Sequence, residues 1–178
     1  HIVSDDPEKI FLDADVVMPD ASFLVRTISE FRRRRLGIAT CVPEPMSDKK
    51  IDHIFNEVFN VYTELLKAIM PHTPGFCIFV KRDIHEKVGG FDENVKLAED
   101  HDYAKDAVKY GKFGILKSKK IPVSVRRFEK DGRFKIALKY IFCELHRAML
   151  GSVKSNVFNY QFGFDKKFKH KSYKKKKK

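Results

Sequence analysis

The chain has 178 residues, 43% hydrophobic and 34% charged, with a net charge of +12; this is the composition of one globular domain with a real core, not of a disordered or fibrous chain. Its three cysteines, Cys41, Cys77 and Cys143, are far apart and in no CxxC spacing, which argues against a disulfide framework or a zinc site and fits a reducing, cytoplasmic compartment. Nine of the lysines lie in residues 166–178, which hold no acid, so without them the body stands near +3.

A Lys-rich run with little to bury cannot offset its ordering entropy, and 165–178 is expected to be disordered within a basic tail spanning 151–178. Such a tail is either simply solvated or touches anionic lipid, placing the protein at the inner face of a membrane, and specific nucleic acid is not expected. Residues 1–150 form the domain. No apolar stretch approaches the roughly 18 residues needed to cross a bilayer. The chain begins at His1 and enters an apolar run almost at once, so the sequence is expected to be the later part of a longer domain.

Lys9–Leu12 reads as a short strand that Asp13, Ala14 and Asp15 end, putting acids at its carboxyl edge. Pro19 suits the first turn of a helix carried by Phe23, Leu24, Ile28 and Phe31, and the run Arg32 to Arg35 reads as its cationic C-terminus. Gly37–Val42 is a second strand, closed by Pro43 and Pro45. From Asp48 to Pro71 the apolar residues keep three- and four-residue steps, giving a long amphipathic helix. Its other face is polar without a basic bias, which fits a core-packed helix better than an interfacial one. Gly75–Val80 is a third strand, followed by a short helix over Ile84–Val88 and the turn Gly89-Gly90. Glu99–Tyr110 is helical, Phe113–Leu116 and Ile121–Val125 are strands, and Arg133–Leu150 is the last helix. Strands alternating with helices make an α/β sheet.

Two groups of residues can carry chemistry. Asp13 and Asp15, two apart in a turn leaving a strand, can converge on a hard cation such as Mg2+ or Mn2+, which completes its shell with substrate phosphates; by itself the pair is as readily a solvated turn. A helix starting near Glu99 places Asp100 on the stripe of Ala104, Ala107 and Val108, so its carboxylate points at the body of the domain. That suits a general base, although first-turn acids are also favoured by the helix dipole alone. His101, about 100° around the helix from Asp100, reads as a surface histidine.

The order and spacing of Phe11-Leu12-Asp13-Ala14-Asp15, Gly75-Phe76-Cys77-Ile78-Phe79-Val80-Lys81-Arg82, Gly89-Gly90-Phe91-Asp92-Glu93 and Glu99-Asp100-His101-Asp102 resemble glycosyltransferase family 2, over roughly residues 9 to 127. The resemblance implies a GT-A fold, a Rossmann-like mixed sheet flanked by helices, here without its N-terminal nucleotide-binding unit. It implies that Asp13 and Asp15 hold the metal and the donor diphosphate, that Gly75, Phe76 and Glu99 line the acceptor side, and that Asp100 is the catalytic base. Val123–Glu129 resembles the segment where a basic residue at a strand end reaches the active site. Arg127 is thus either a donor-binding residue for the leaving diphosphate or an edge charge.

The implied activity is metal-dependent, inverting transfer of a sugar from a nucleotide-sugar donor to a hydroxyl of a glycan, lipid or other acceptor, or to a lipid phosphate, with the fragment inactive alone. The alternative from a different class is a non-catalytic basic module that grips nucleic acid or anionic membrane through the tail and Arg32 to Arg35, with steep salt dependence. A third is another GT-A enzyme such as a nucleotidyltransferase.

Overall fold

The computed structural model describes residues 7–69, 71, 73–92, 95 and 99–150; the basic tail over 151–178 lies outside them. The elements run β1 (Glu8–Leu12), α1 (Phe23–Arg33), β2 (Ile38–Pro45), α2 (Lys50–Leu66), β3 (Cys77–Lys81), α3 (Arg82–Val88), α4 (Glu99–Ala107), β4 (Phe113–Val123), α5 (Arg126–Asp131) and α6 (Arg133–Leu150). Four strands form a mixed sheet in the order β1-β3-β2-β4. The strand β3 is antiparallel to both β1 and β2, while β2 and β4 are parallel. The carboxyl ends of β1, β2 and β4 therefore share one edge with the start of β3, and that edge is where open α/β sheets place their ligands.

The sheet is packed on both faces, as the near-continuous apolar runs of β2 and β3 demand. On one face α1 contributes Phe23, Thr27, Glu30 and Phe31, the i, i+4, i+7, i+8 stripe of a helix facing a core. Phe23 and Phe31 join Ala39, Cys41, Cys77, Phe79, Leu116 and Ile121 in one cluster. On the other face Ile38, Ile78 and Val80 meet Ile84 of α3 and Tyr103, Ala104 and Ala107 of α4. Each of these large side chains contributes about 1.5–3 kcal/mol by leaving water. Cys41, Cys77 and Cys143 are buried free thiols, and a hydrogen bond to Cys77 together with burial pushes the Cys41 thiol far up.

The parallel pair β2·β4 begins where two backbones touch. A Cβ on Gly37 would fall 2.6 Å from Gly111 Cα and 2.7 Å from Ile84 Cδ1, closer than real carbon atoms approach. Gly37→Ala is expected to cost about 1–3 kcal/mol through overpacking, read as a lowered denaturant midpoint with an unchanged slope.

Four expectations are corrected here. The two strands at Phe113–Leu116 and Ile121–Val125 are a single β4 ending at Val123, with a register shift opposite Cys41 and Pro43. The carboxylate of Glu30 bridges that irregularity by accepting the amides of Lys117 at 2.9 Å and Ser118 at 2.7 Å, replacing ladder partners that the shift removes. Those hydrogen bonds and the Arg34 pairing outweigh burial and hold its carboxyl below the usual range. Pro19 precedes α1 rather than entering it, because Asp20 caps the turn by accepting from the Ser22 amide at 2.8 Å. The third and fourth concern α2. It stops at Leu66, short of Pro71, and its apolar stripe packs inward only in part: Phe55, Phe59 and Leu66 are half-buried, whereas Ile54, Val58 and Leu65 are exposed, and Asp52 and Thr63 are buried. Polar anchors seat this helix instead. Asp52 takes a bidentate ion pair from Arg133 of α6, at 2.5 and 2.9 Å, and a hydrogen bond from Ser47 at 2.6 Å. Asn56 Nδ2 donates to the Pro43 carbonyl at 3.1 Å. An apolar cavity of about 260 Å³, lined by Thr40, Val42, Phe59 and Ile115, is left between α2 and the sheet.

The Arg32 to Arg35 run does end α1, but two of its members are tied into the fold. Arg32 pairs with Glu8 at 2.6 Å, and Arg34 with Glu30 at 2.7 Å and with the Ile115 carbonyl at 2.6 Å.

Candidate functional site

The acidic turn leaves β1 at the carboxyl edge and is stitched to both neighbouring strand ends. The Asp13 amide donates to the Phe76 carbonyl at 3.2 Å, and Val17 and Ser124 donate backbone hydrogen bonds to Pro122 and Asp15 at 3.1 and 2.9 Å. The turn therefore sits between the start of β3 and the end of β4. Asp13 is exposed, with Oδ1 accepting the Ala14 amide at 2.6 Å. Asp15 is partly buried and Oδ1 accepts from Arg126 Nη2 at 2.8 Å.

Asp100 reaches the same strand start from the other side. It occupies the first turn of α4 with a side chain only 17% exposed. Its Oδ2 accepts a short hydrogen bond from the Gly75 amide, and its Oδ1 accepts the His101 amide at 2.9 Å. The helix is held in place by Thr73, fully buried, whose Oγ1 donates to the Asp100 carbonyl at 2.8 Å. Glycine at 75 leaves room for the Asp100 carboxylate: an added Cβ would lie 3.2 Å from Asp100 Oδ2, so the side chain would have to shift by a few tenths of an ångström. The turn at Gly89-Gly90 delivers Phe91 beneath α4, where it stacks on Tyr103 at 4.3 Å and meets Phe11 edge-on at 5.2 Å. Tyr103 in turn hydrogen-bonds His85 Nδ1 at 2.8 Å. This aromatic group couples β1, α3 and α4 and fixes the angle at which the helix presents its first turn.

Two further groups adjust the electrostatics. Glu99 is partly buried; desolvation first, then the negative charges of Asp100 and Asp102, raise its carboxyl above the usual range. Tyr140 of α6 is raised by burial, with Arg127 opposing and Asp100 reinforcing the shift. That places Arg127 and Asp100 within electrostatic reach of one phenol.

Of the expected site residues, Gly75 and the Asp100 carboxylate are joined at the start of β3, where Phe76 also receives the Asp13 backbone amide; Asp15 is tied to the end of β4, Glu99 precedes Asp100 in α4, and Arg127 lies beside α6. His101 corrects an expectation: its side chain is 15% exposed, so it is not a surface histidine. Arg126 and Thr73 were not foreseen. Arg126 was missed because 121–125 read as extended, whereas the strand stops at Val123 and α5 opens at Arg126, turning that side chain toward Asp15. Nothing in the sequence near Thr73 marks it.

Among the described residues no three His, Cys, Asp or Glu side chains form a metal-holding group, so no closed, all-protein site is built there. The turn offers two carboxylates, Asp13 exposed and Asp15 paired with Arg126; proteins that bind magnesium through so few carboxylates complete its shell with water and phosphate. No family model matches the chain, and no curated protein does.

Proposed function

We propose that the chain is the acceptor-side portion of a GT-A glycosyltransferase that transfers a sugar from a nucleotide-sugar donor with inversion. The observation that carries this reading is a linkage of residues far apart in sequence. The Asp13 amide is bonded to Phe76, and the preceding residue, Gly75, is bonded to the Asp100 carboxylate. The turn that carries the acid pair and the helix that carries Asp100 are therefore both joined to the start of β3, at the edge where open α/β sheets take their ligands. The mixed sheet with a single antiparallel strand agrees with the fold that the family resemblance implies.

In the proposed reaction the acceptor hydroxyl lies against Asp100. As the hydroxyl oxygen attacks the anomeric carbon, its proton passes to the carboxylate, and the bond from that carbon to the diphosphate breaks, leaving the electron pair on the departing nucleoside diphosphate. The Gly75 and His101 amides keep the carboxylate oriented for this transfer, which spares the reacting pair the entropy of finding its geometry. Arg126 and Arg127 supply fixed positive charge on the side where the diphosphate departs. A magnesium or manganese ion on Asp13 and Asp15 would supply Lewis-acid neutralisation of the leaving group. Glu99, which precedes Asp100 and whose carboxyl burial shifts upward, is placed by this reading on the acceptor side.

The test is turnover by the complete product of the reading frame, assayed with a panel of nucleotide sugars and with Mn2+ present or chelated. Release of nucleoside diphosphate that stops on chelation and returns on adding Mn2+ is the expected result. Turnover indifferent to chelation would remove the metal role, and no turnover with any donor would remove the enzyme.

A further inference from the structure

The helices α2 and α6 each carry an apolar stripe on the outside. On α2, Ile54, Val58, Val61 and Leu65 recur at helical spacing and are 56–73% exposed. On α6, Phe134, Leu138, Ile141 and Phe142 do the same at 53–73%. Scattered exposed leucines are ordinary, but two contiguous stripes at helical spacing mark an interaction surface. The stripes belong to one structural unit: Phe55 of α2 packs edge-on against Phe134 of α6 with ring centroids 5.7 Å apart, and the Asp52–Arg133 ion pair locks the two helix starts together.

The charge distribution says what covers this surface. Residues 126–178 hold 17 of the 36 Lys and Arg but only 4 of the 24 Asp and Glu, so the first 125 residues are slightly negative and the whole positive charge of the chain belongs to α5, α6 and the C-terminal residues beyond α6. Along α6 itself Lys135 and Lys139 alternate with the apolar residues. The sequence that continues from α6 carries Phe158, Phe162 and Phe164 ahead of the lysine run and Phe168 within it. On α6, apolar side chains beside Arg133, Lys135 and Lys139, in a helix too polar to span, match a bilayer interface bearing anionic headgroups; α2, where Lys50 and Glu57 offset each other, adds apolar area without charge. A second copy of the chain fits less well, because it would bring this concentrated positive charge against itself.

We infer that the outward faces of α2 and α6 form a docking surface for anionic lipid, inserting their apolar stripes between headgroups that the basic C-terminal third neutralises. This surface stands or falls independently of the proposed sugar transfer. The experiment is co-sedimentation of the full chain with vesicles of phosphatidylcholine, with or without about one-third phosphatidylserine. Three variants are compared: Val58→Ser with Leu65→Ser, Phe134→Ser with Leu138→Ser, and a chain ending at residue 165. All four serine positions are exposed, and an unchanged melting temperature confirms that each fold is intact. Binding only to the anionic vesicles, weakened by salt and lowered about tenfold or more by either serine pair, is expected. Binding unaffected by both serine pairs but abolished in the shortened chain would overturn the docking surface and leave the lysines alone responsible. So would no vesicle binding together with a dimer in sedimentation velocity that the serine pairs dissociate, which would assign the surface to a second copy.

Discussion

Replacing Asp100 by Asn is expected to lower turnover by about 10³-fold while leaving the fold in place, because the amide keeps the shape and the hydrogen-bond acceptor but cannot take a proton at neutral pH. The amide oxygen can still accept from Gly75, and the Thr73 bond is to the Asp100 carbonyl and is untouched, but the amide nitrogen cannot accept from the His101 amide, a loss of about 1 kcal/mol. The melting temperature should therefore fall by about 2–4 °C. The loss should fall on kcat with little change in KM for the donor, since the group acts as the hydroxyl attacks and not when the nucleotide binds. A variant retaining more than about a tenth of the rate would mean that the proton leaves by another route, as it does when the acceptor is already a phosphate.

The second large effect is expected at Asp15. Asp15→Ala removes half of the acid pair, and a metal that supplies several kcal/mol of charge neutralisation accounts for a loss of about 10³-fold in turnover. Stability should hardly change, since the ion pair lost with it, to Arg126 at 2.8 Å, joins side chains 39% and 41% exposed, and such a pair is worth about 0–1 kcal/mol. The readout that separates a metal role from a structural one is Mn2+ binding in the presence of nucleoside diphosphate, measured by electron paramagnetic resonance. Free Mn2+ should rise in the variant and fall in wild type. If both bind Mn2+ equally, Asp15 serves as the counter-ion of Arg126 alone.

Much of the framework was legible because its residues keep strict periods. The β1, β2 and β3 strands and α1 fall within a residue or a few of the expected boundaries, and the inward aim of Asp100 follows from its place on the Ala104, Ala107 stripe. The places that escaped reading are those where a distant residue decides. Glu30 turns two short strands into one by taking up the amides of Lys117 and Ser118, some 87 residues away in the chain. Periodicity cannot tell which side of a helix meets the body, so α2, with its regular apolar stripe, was expected to face inward. Its orientation is set instead by the buried Asp52 and its bidentate bond to Arg133, a pairing between distant segments that no local pattern announces. Likewise the choice between Arg126 and Arg127 as the partner of the acidic turn depends on where β4 stops, and strand ends are the least determined part of a propensity argument.

The order of strands across the sheet has a consequence for biosynthesis. As β1 is paired in the sheet only with β3, residues 8–12 have nowhere to dock until residue 81 has been synthesised. The turn bearing Asp13 and Asp15 must wait longer still, for Ser124 to fix its far end. A nascent chain halted before that point would hold its acids on an untethered segment. The turn carrying Asp13 and Asp15 should therefore reach its final place in one step, once residue 124 has been synthesised.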